Sequence, residues 1–228
     1  MSPVAIIPAR GGSKRLPRKN ILPLAGQPII SYPIQTALDS GLFSKVIVST
    51  EDVEISNLAK EFGAEVITRP DALSTDEAHE LDACLHVLDT LKTDDSEPEA
   101  FCVLYPTAAF LIPDDLIKSL DKLEKEPVAD VVMGVTGYPI HPYKTLLEGE
   151  DDYLSLLFPV EAKMRSQFYP KALASCGTFY WLRTESFRAL RTYYPEKLRG
   201  YEIPPERAID IDTQEDFLIA EKLKSALV

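Results

Sequence analysis

Residues 4–20 read VAIIPARGGSKRLPRKN. Val4 to Pro8 is a short, unbroken apolar run of the kind that forms a buried strand. A glycine-rich turn follows at once, with Arg10, Lys14, Arg15, Arg18 and Lys19 and no acid between residues 10 and 19. A strand that empties into such a turn leaves backbone N–H groups at its carboxyl end free to cradle anions. Gly11 and Gly12 allow positive φ and a close approach of the backbone to a phosphate. Arg10 can fork onto two oxygens at once. The spacings GxxxxGK[ST] and GxGxxG are both absent, so the turn is neither a P-loop nor a dinucleotide fingerprint. Glycines and cations alone leave a second reading open, a solvated turn carrying surface lysines.

Outward from this unit the chain alternates strand and helix. Strands are expected at residues 45–50, 64–68, 100–105 and 130–135. Helices are expected at 29–40, closed by Gly41, at 52–62, ended by Gly63, at 77–91 and at 113–125. This order predicts right-handed βαβ crossovers and a three-layer α/β/α, Rossmann-like single domain with a mostly parallel sheet. Ligands in such sheets bind at the carboxyl ends of strands. The segments Ser49–Asp52, Arg69–Pro70 and Pro106–Thr107 all fall there. Residues 137–173 break the rhythm with four prolines and six aromatics. They are expected to form an inserted arm, either an interface or a lid or packed excursion on the same subunit. A strand at 177–182 and a helix at 213–223 complete the pattern.

The 228 residues are 45% hydrophobic, enough for one substantial core. The formal net charge of -12 disfavours nucleic acid as a partner, and the basic island at residues 10–19 suits a small polyanion. No apolar run is long enough to span a bilayer, and no basic start precedes an apolar stretch and cleavage site. A cytoplasmic chain with no membrane partner is expected. Cys84, Cys102 and Cys176 form no CxxC pair, so reduced, buried thiols are expected.

Residues 6–20, IIPARGGSKRLPRKN, closely resemble the signature of the CMP-sialic acid synthetase family, cytidylyltransferases that activate acidic sugars. Further segments match in order. Arg69-Pro70 with Leu73, Ser74 and Asp76 resembles its RP-x-x-L-x-x-D stretch, and Tyr105-Pro106-Thr107 stands where the family has Q-P-T. Ile209-Asp210-Ile211-Asp212-Thr213, with Asp216, resembles its I-D-I-D-T-x-x-D motif. Residues 104–111, LYPTAAFL, and 177–181, GTFYW, are similar to the subgroup that activates pseudaminic acid. Arg165-Ser166-Gln167 resembles that subgroup's R-x-Q. Phe168-Tyr169-Pro170 replaces its D-L-P, and residues 175–178, SCGT, replace its D-A-G-Q, which alters the groups offered to the sugar.

The resemblance implies a Rossmann-like nucleotidyltransferase that transfers CMP from CTP to the anomeric hydroxyl of a nonulosonic acid. Pseudaminic acid is the first candidate; N-acetylneuraminic, legionaminic and Kdo-type acids are alternatives. A nucleotide-binding module without catalysis is the reading from another class. The family's nucleotide contacts fall on Ala9, Arg10, Gly11, Gly12, Ser13, Lys14, Asn20, Arg69 and Ser74. Glu80 stands where relatives carry a small hydroxyl near the cytosine; a carboxylate there can accept from the base's amine. Lys19, Arg10 and Asp210 are the implied catalytic residues. Tyr105, Thr107, Arg165, Thr178, Phe179 and Tyr180 are implied on the sugar side. Asp210 and Asp212 alternate in an extended segment, so both can face one Mg²⁺. The D-I-D segment by itself equally fits a helix cap at Asp212 or Thr213. The arm, with Lys144 and Arg165, resembles the family's dimerisation segment and implies a homodimer.

Overall fold

In the computed structural model, residues 2–226 are described. Among them the strands β1 (Val4–Pro8), β2 (Lys45–Thr50), β3 (Glu65–Thr68), β4 (Ala100–Leu104), β5 (Val131–Gly137), β6 (Leu173–Arg183) and β7 (Leu198–Glu202) make a seven-stranded sheet. Their spatial order is β7-β5-β6-β4-β1-β2-β3. All neighbours pair in parallel except β6, which runs antiparallel between β4 and β5. This is the predicted α/β/α architecture.

Alternation along each strand divides the core. Ala5 and Ile7 of β1 join Val48, Phe179 and Trp181 on the face covered by α1 (Ser31–Ser40), α2 (Val53–Glu61) and α4 (Pro113–Lys125). Val4 and Ile6 join Ile47, Phe101 and Tyr180 on the face covered by α3 (Glu80–Thr93) and α5 (Thr184–Leu190). A third cluster, with Leu16, Leu24, Ile29, Phe110 and Ile211, sits where α6 (Gln214–Ser225) closes over the loop after β1.

Helix ends follow side-chain chemistry. Asp52 accepts from the N–H groups of Glu54 and Ile55 and starts α2. His79 Nδ1 accepts from Leu81 N–H, which moves the start of α3 inward from the expected residue 77. Thr213 and Asp216 cap α6 reciprocally, so the helix-cap reading of that segment holds for Thr213.

β6 starts earlier than its apolar pattern indicated. Leu173 to Ser175 already pair with β5, and a register shift separates them from Tyr180. The arm is therefore an excursion from the tip of an antiparallel pair. It contains a two-stranded ribbon, Leu146–Glu148 with Leu154–Leu156. β7 carries no legible apolar alternation. It depends on Gly200, where a Cβ would stand 2.7 Å from Val135 Cγ2.

Candidate active site

The segments that leave the carboxyl ends of β1, β3 and β4 open into one cleft of about 370 Å³. The loop of residues 9–20 forms one wall, residues 69–80 another, and the segment holding Asp210 and Asp212 a third. The loop is fixed at several points. Ala9 N–H donates to Ser49 O at 3.0 Å. Buried Asn20 donates from Nδ2 to Arg10 O at 2.9 Å. Arg18 adopts a left-handed φ of 57° and forks onto Asp52 and Glu54. The Arg18 guanidinium holds the Asp52 carboxyl below its ordinary range.

Neither Gly11 nor Gly12 uses the positive φ open to it. What excludes a side chain at Gly11 is close approach: a Cβ would lie 2.5 Å from Asp52 Oδ2. Gly11 N–H is also engaged, donating to Glu51 Oε1 at 2.7 Å. The backbone at Gly11 is thus spent on anchoring the loop, and the cations that follow supply the anion-binding charge.

Four of those cations share two carboxylates. Arg10 pairs with Asp76 at 3.0 Å, and Lys14 binds the same group. Arg15 and Lys19 each meet Asp212 at 2.8 Å. The surplus positive charge faces a cleft whose size and polarity suit a polyphosphate. Burial works against the charge on Asp212, but Lys19 and Arg15 outweigh it and hold that carboxyl below its ordinary range. Asp210 behaves oppositely. Burial of the carboxyl and then the Asp212 charge raise it, and among the described residues it has no hydrogen bond or ion pair. Gly177 permits its position. At φ 58° a Cβ there would meet Asp210 Oδ2 at 2.8 Å.

The opposite end of the cleft is less basic. Arg69 is buried and directs Nε and Nη2 to Ser49 Oγ and O, at 3.3 and 2.8 Å. Glu80 accepts from Tyr193 Oη at 2.7 Å. Burial raises its carboxyl above the ordinary value, against the hydroxyls of Tyr193 and Tyr105.

The profile of the Cytidylyltransferase family matches residues 4–144, which hold the loop, Arg69, Glu80 and the Tyr105–Thr107 wall. The chain belongs to the cytidylyltransferase family. A pseudaminic acid cytidylyltransferase of Campylobacter jejuni is 31% identical over 98% of this chain and 96% of its own length. N-acylneuraminate cytidylyltransferase B of Danio rerio is 33% identical over 96% of this chain but 50% of its own length. The structure of CMP:2-keto-3-deoxy-manno-octonic acid synthetase complexed with CTP shares the fold, with TM-score 0.74 and 18% identity over 100% of both chains.

In this cytidylyltransferase, Arg10, Ser13, Lys14, Lys19, Asn20, Arg69, Glu80, Tyr105, Thr107, Asp210 and Asp212 line the one cleft. Other expected residues stand elsewhere. Ala9 is buried with its N–H used by β2, and Gly12 contacts nothing within 4 Å of where a Cβ would sit. Ser74 turns its hydroxyl to Pro70 O at 3.2 Å and does not line the cleft. Thr178, Phe179 and Tyr180 are buried in β6. Phe179 packs into the core, and Tyr180 stacks on Tyr193 with ring centroids 4.3 Å apart. Both faces of β6 are covered, so these three residues, implied on the sugar side, do not line the cleft. Arg165 is exposed on the arm, away from the cleft-lining set. Lys144 donates to Ala162 O at 3.1 Å and holds the arm to itself.

Arg15, one of the loop's expected cations, lines the cleft too, as do His79 and Asp76, which carried no expected role although Asp76 lies in a matched motif. Tyr193, which holds Glu80, is 113 residues distant in sequence and carried no local signal. The three cysteines are buried and unpaired. No helix among the described residues is long and apolar enough to cross a membrane.

Proposed function

We propose that this cytidylyltransferase transfers CMP from CTP to the anomeric hydroxyl of a nonulosonic acid, of which pseudaminic acid is the first candidate. The observation that carries this is the end-to-end match to the Campylobacter jejuni enzyme, 98% of one chain on 96% of the other. The sugar oxygen forms a bond to the α-phosphorus, the α–β bridging bond breaks, and pyrophosphate leaves while the hydroxyl proton passes to solvent. Such a step is catalysed by positioning and by neutralising phosphate charge. Arg10, Lys14, Arg15 and Lys19 supply that neutralisation. The triphosphate competes with Asp76 and Asp212 for them.

Among the described residues no group of three or more His, Cys, Asp or Glu forms a metal cage. Mg²⁺ needs no such cage, because it keeps water and takes substrate phosphate oxygens beside one or two carboxylates. The unpartnered Asp210 with Asp212 next to it fits that demand. These two residues would hold the ion, which would polarise the phosphate when bound. The fit supports the expected Mg²⁺ requirement and the roles of Lys19, Arg10 and Asp210.

The arm supports a homodimer. Tyr153, Val160, Phe168 and Leu154 are 79%, 74%, 64% and 61% exposed on it, a surface that a second copy of this chain would cover. Placement in the cytoplasm, where CTP is available, belongs to the same reading. N-acylneuraminate as substrate is the second reading, because the Danio rerio relative is 33% identical. Residues 104–111 favour the pseudaminic form. Pyrophosphate release with CTP and Mg²⁺ across pseudaminic, legionaminic, N-acetylneuraminic and Kdo-type acids decides between them. The highest kcat/KM is expected for pseudaminic acid. Release with none of them, despite CTP binding, leaves only the non-catalytic module.

A further inference from the structure

Asp115 is 1% exposed, yet it is ionisable and stands in the first turn of α4. An isolated carboxylate there would be expensive. Four donors converge on it instead. Arg207 contributes both terminal nitrogens, Nη2 to Oδ1 at 3.0 Å and Nη1 to Oδ2. Tyr201 Oη donates at 3.3 Å and Ile112 N–H at 3.1 Å. Neither Asp115 nor Arg207 lines the cleft.

The position of Arg207 in the chain gives the fork its meaning. Arg207 N–H closes a turn onto Pro204 O at 2.9 Å, and only Ala208 and Ile209 separate it from Asp210. Downstream, Ile211 is fully buried, and Asp216 Oδ2 accepts from Asp212 N–H at 3.1 Å and Thr213 N–H at 2.8 Å. The D-I-D segment is thus held behind by a helix cap and ahead by the fork. α4 begins a few residues after the Tyr105–Thr107 wall, so the fork also links that wall to the segment holding Asp210 and Asp212.

We infer that Arg207 is a positioning residue: its bidentate grip on Asp115 sets where Asp210 and Asp212 stand in the cleft. This rests on the proposed metal role of those two aspartates. The guanidinium is needed for its shape, since a lysine reaches only one carboxylate oxygen at a time.

The test uses full-length protein carrying Arg207→Lys, Arg207→Ala or Asp115→Asn. Two readouts are taken: hydrogen–deuterium exchange of residues 208–213 without ligand, and Mn²⁺ binding in the presence of CTP by electron paramagnetic resonance. Arg207→Lys is expected to melt within a few degrees of wild type, exchange faster at 208–213 only, and bind Mn²⁺ about tenfold more weakly, the usual scale for losing an outer support of a metal site. Arg207→Ala is expected to lose more, so that the lysine variant is a partial rescue. Unchanged exchange at 208–213 overturns the inference, as does unchanged Mn²⁺ affinity beside faster exchange. Faster exchange spread over the whole chain also overturns it, since that is a general loss of stability. A wild type that takes up no Mn²⁺ with CTP defeats the metal reading itself, and the inference falls with it.

Discussion

In residues 9–20 almost every charged side chain has a partner, whereas in the arm of residues 138–172 large apolar side chains face outward. Arg10, Lys14, Arg15, Arg18 and Lys19 are all ion-paired to Asp76, Asp212, Asp52 or Glu54. The arm packs its own small, half-buried aromatic knot, His141, Tyr143, Phe158 and Tyr169, and exposes Ile140, Tyr153, Leu154 and Val160 around it. The loop's cations are held by ion pairs within one chain and are gathered at the cleft before phosphate competes for them. The arm folds locally but leaves its apolar surface unused, as a surface meant for another molecule does. If the arm is the dimer surface proposed above, the loop's chemistry and the arm's assembly depend on different kinds of contact, and they should fail separately.

The largest effect is expected on the loop. Lys19→Ala removes the cation that meets Asp212 in the least exposed of the loop's cation pairs to that residue. We expect kcat to fall by about 10²–10³-fold, the scale for losing one preorganised charge at a transition state. The melting temperature should stay within a few degrees. A loss below about threefold would place Lys19 outside the reacting centre and break the loop's side of the contrast.

The arm should respond differently. Leu154→Asp combined with Val160→Asp puts charge on its most exposed apolar surface. Light scattering is expected to show a monomer, with CTP affinity by calorimetry unchanged within about twofold and KM for the sugar raised about tenfold, the size of a lost contact of about 1.4 kcal/mol. An unchanged mass would make the arm a lid on its own subunit and merge the two regions into one device.

The smallest effect concerns Glu80, at the cleft's less basic end. Burial raises its folded value above the unfolded one, so within that window the folded state holds the extra proton. Stability from this group therefore falls as pH rises through the window. Glu80→Gln keeps an acceptor for Tyr193 and removes the titration. Its melting temperature relative to wild type should climb by one or two degrees, as an order of magnitude, between acidic and neutral pH. A flat difference between the two proteins would show that Glu80 carries no linked proton.

The nucleotide side was legible because it is local. Residues 4–20 name a strand, a turn and a basic island within one short segment, and Arg69, Tyr105 and the D-I-D segment each carry recognisable neighbours. Strand and helix periodicity likewise reveal the parallel sheet. What the sequence left open has a different cause. Gly11 and Gly177 look alike as glycines, but the first avoids Asp52 and the second admits Asp210 at positive φ. Phe179 and Tyr180 read as one buried and one open face, yet helices cover both faces of β6.

The sequence alone determined the alternation of elements, the glycine-rich basic loop and the pair of alternating aspartates, because each follows from side-chain pattern over a few residues. Only the tertiary structure decided that Asp76 and Asp212 occupy the loop's cations, that Tyr193 holds Glu80, and that Asp115 grips Arg207. Those contacts join residues far apart in sequence: Arg10 and Asp76 stand 66 positions apart, and Lys19 and Asp212 stand 193 apart. At such separations a pair is chosen by how the sheet stacks its loops, and neither partner's neighbours in sequence carry a trace of the other.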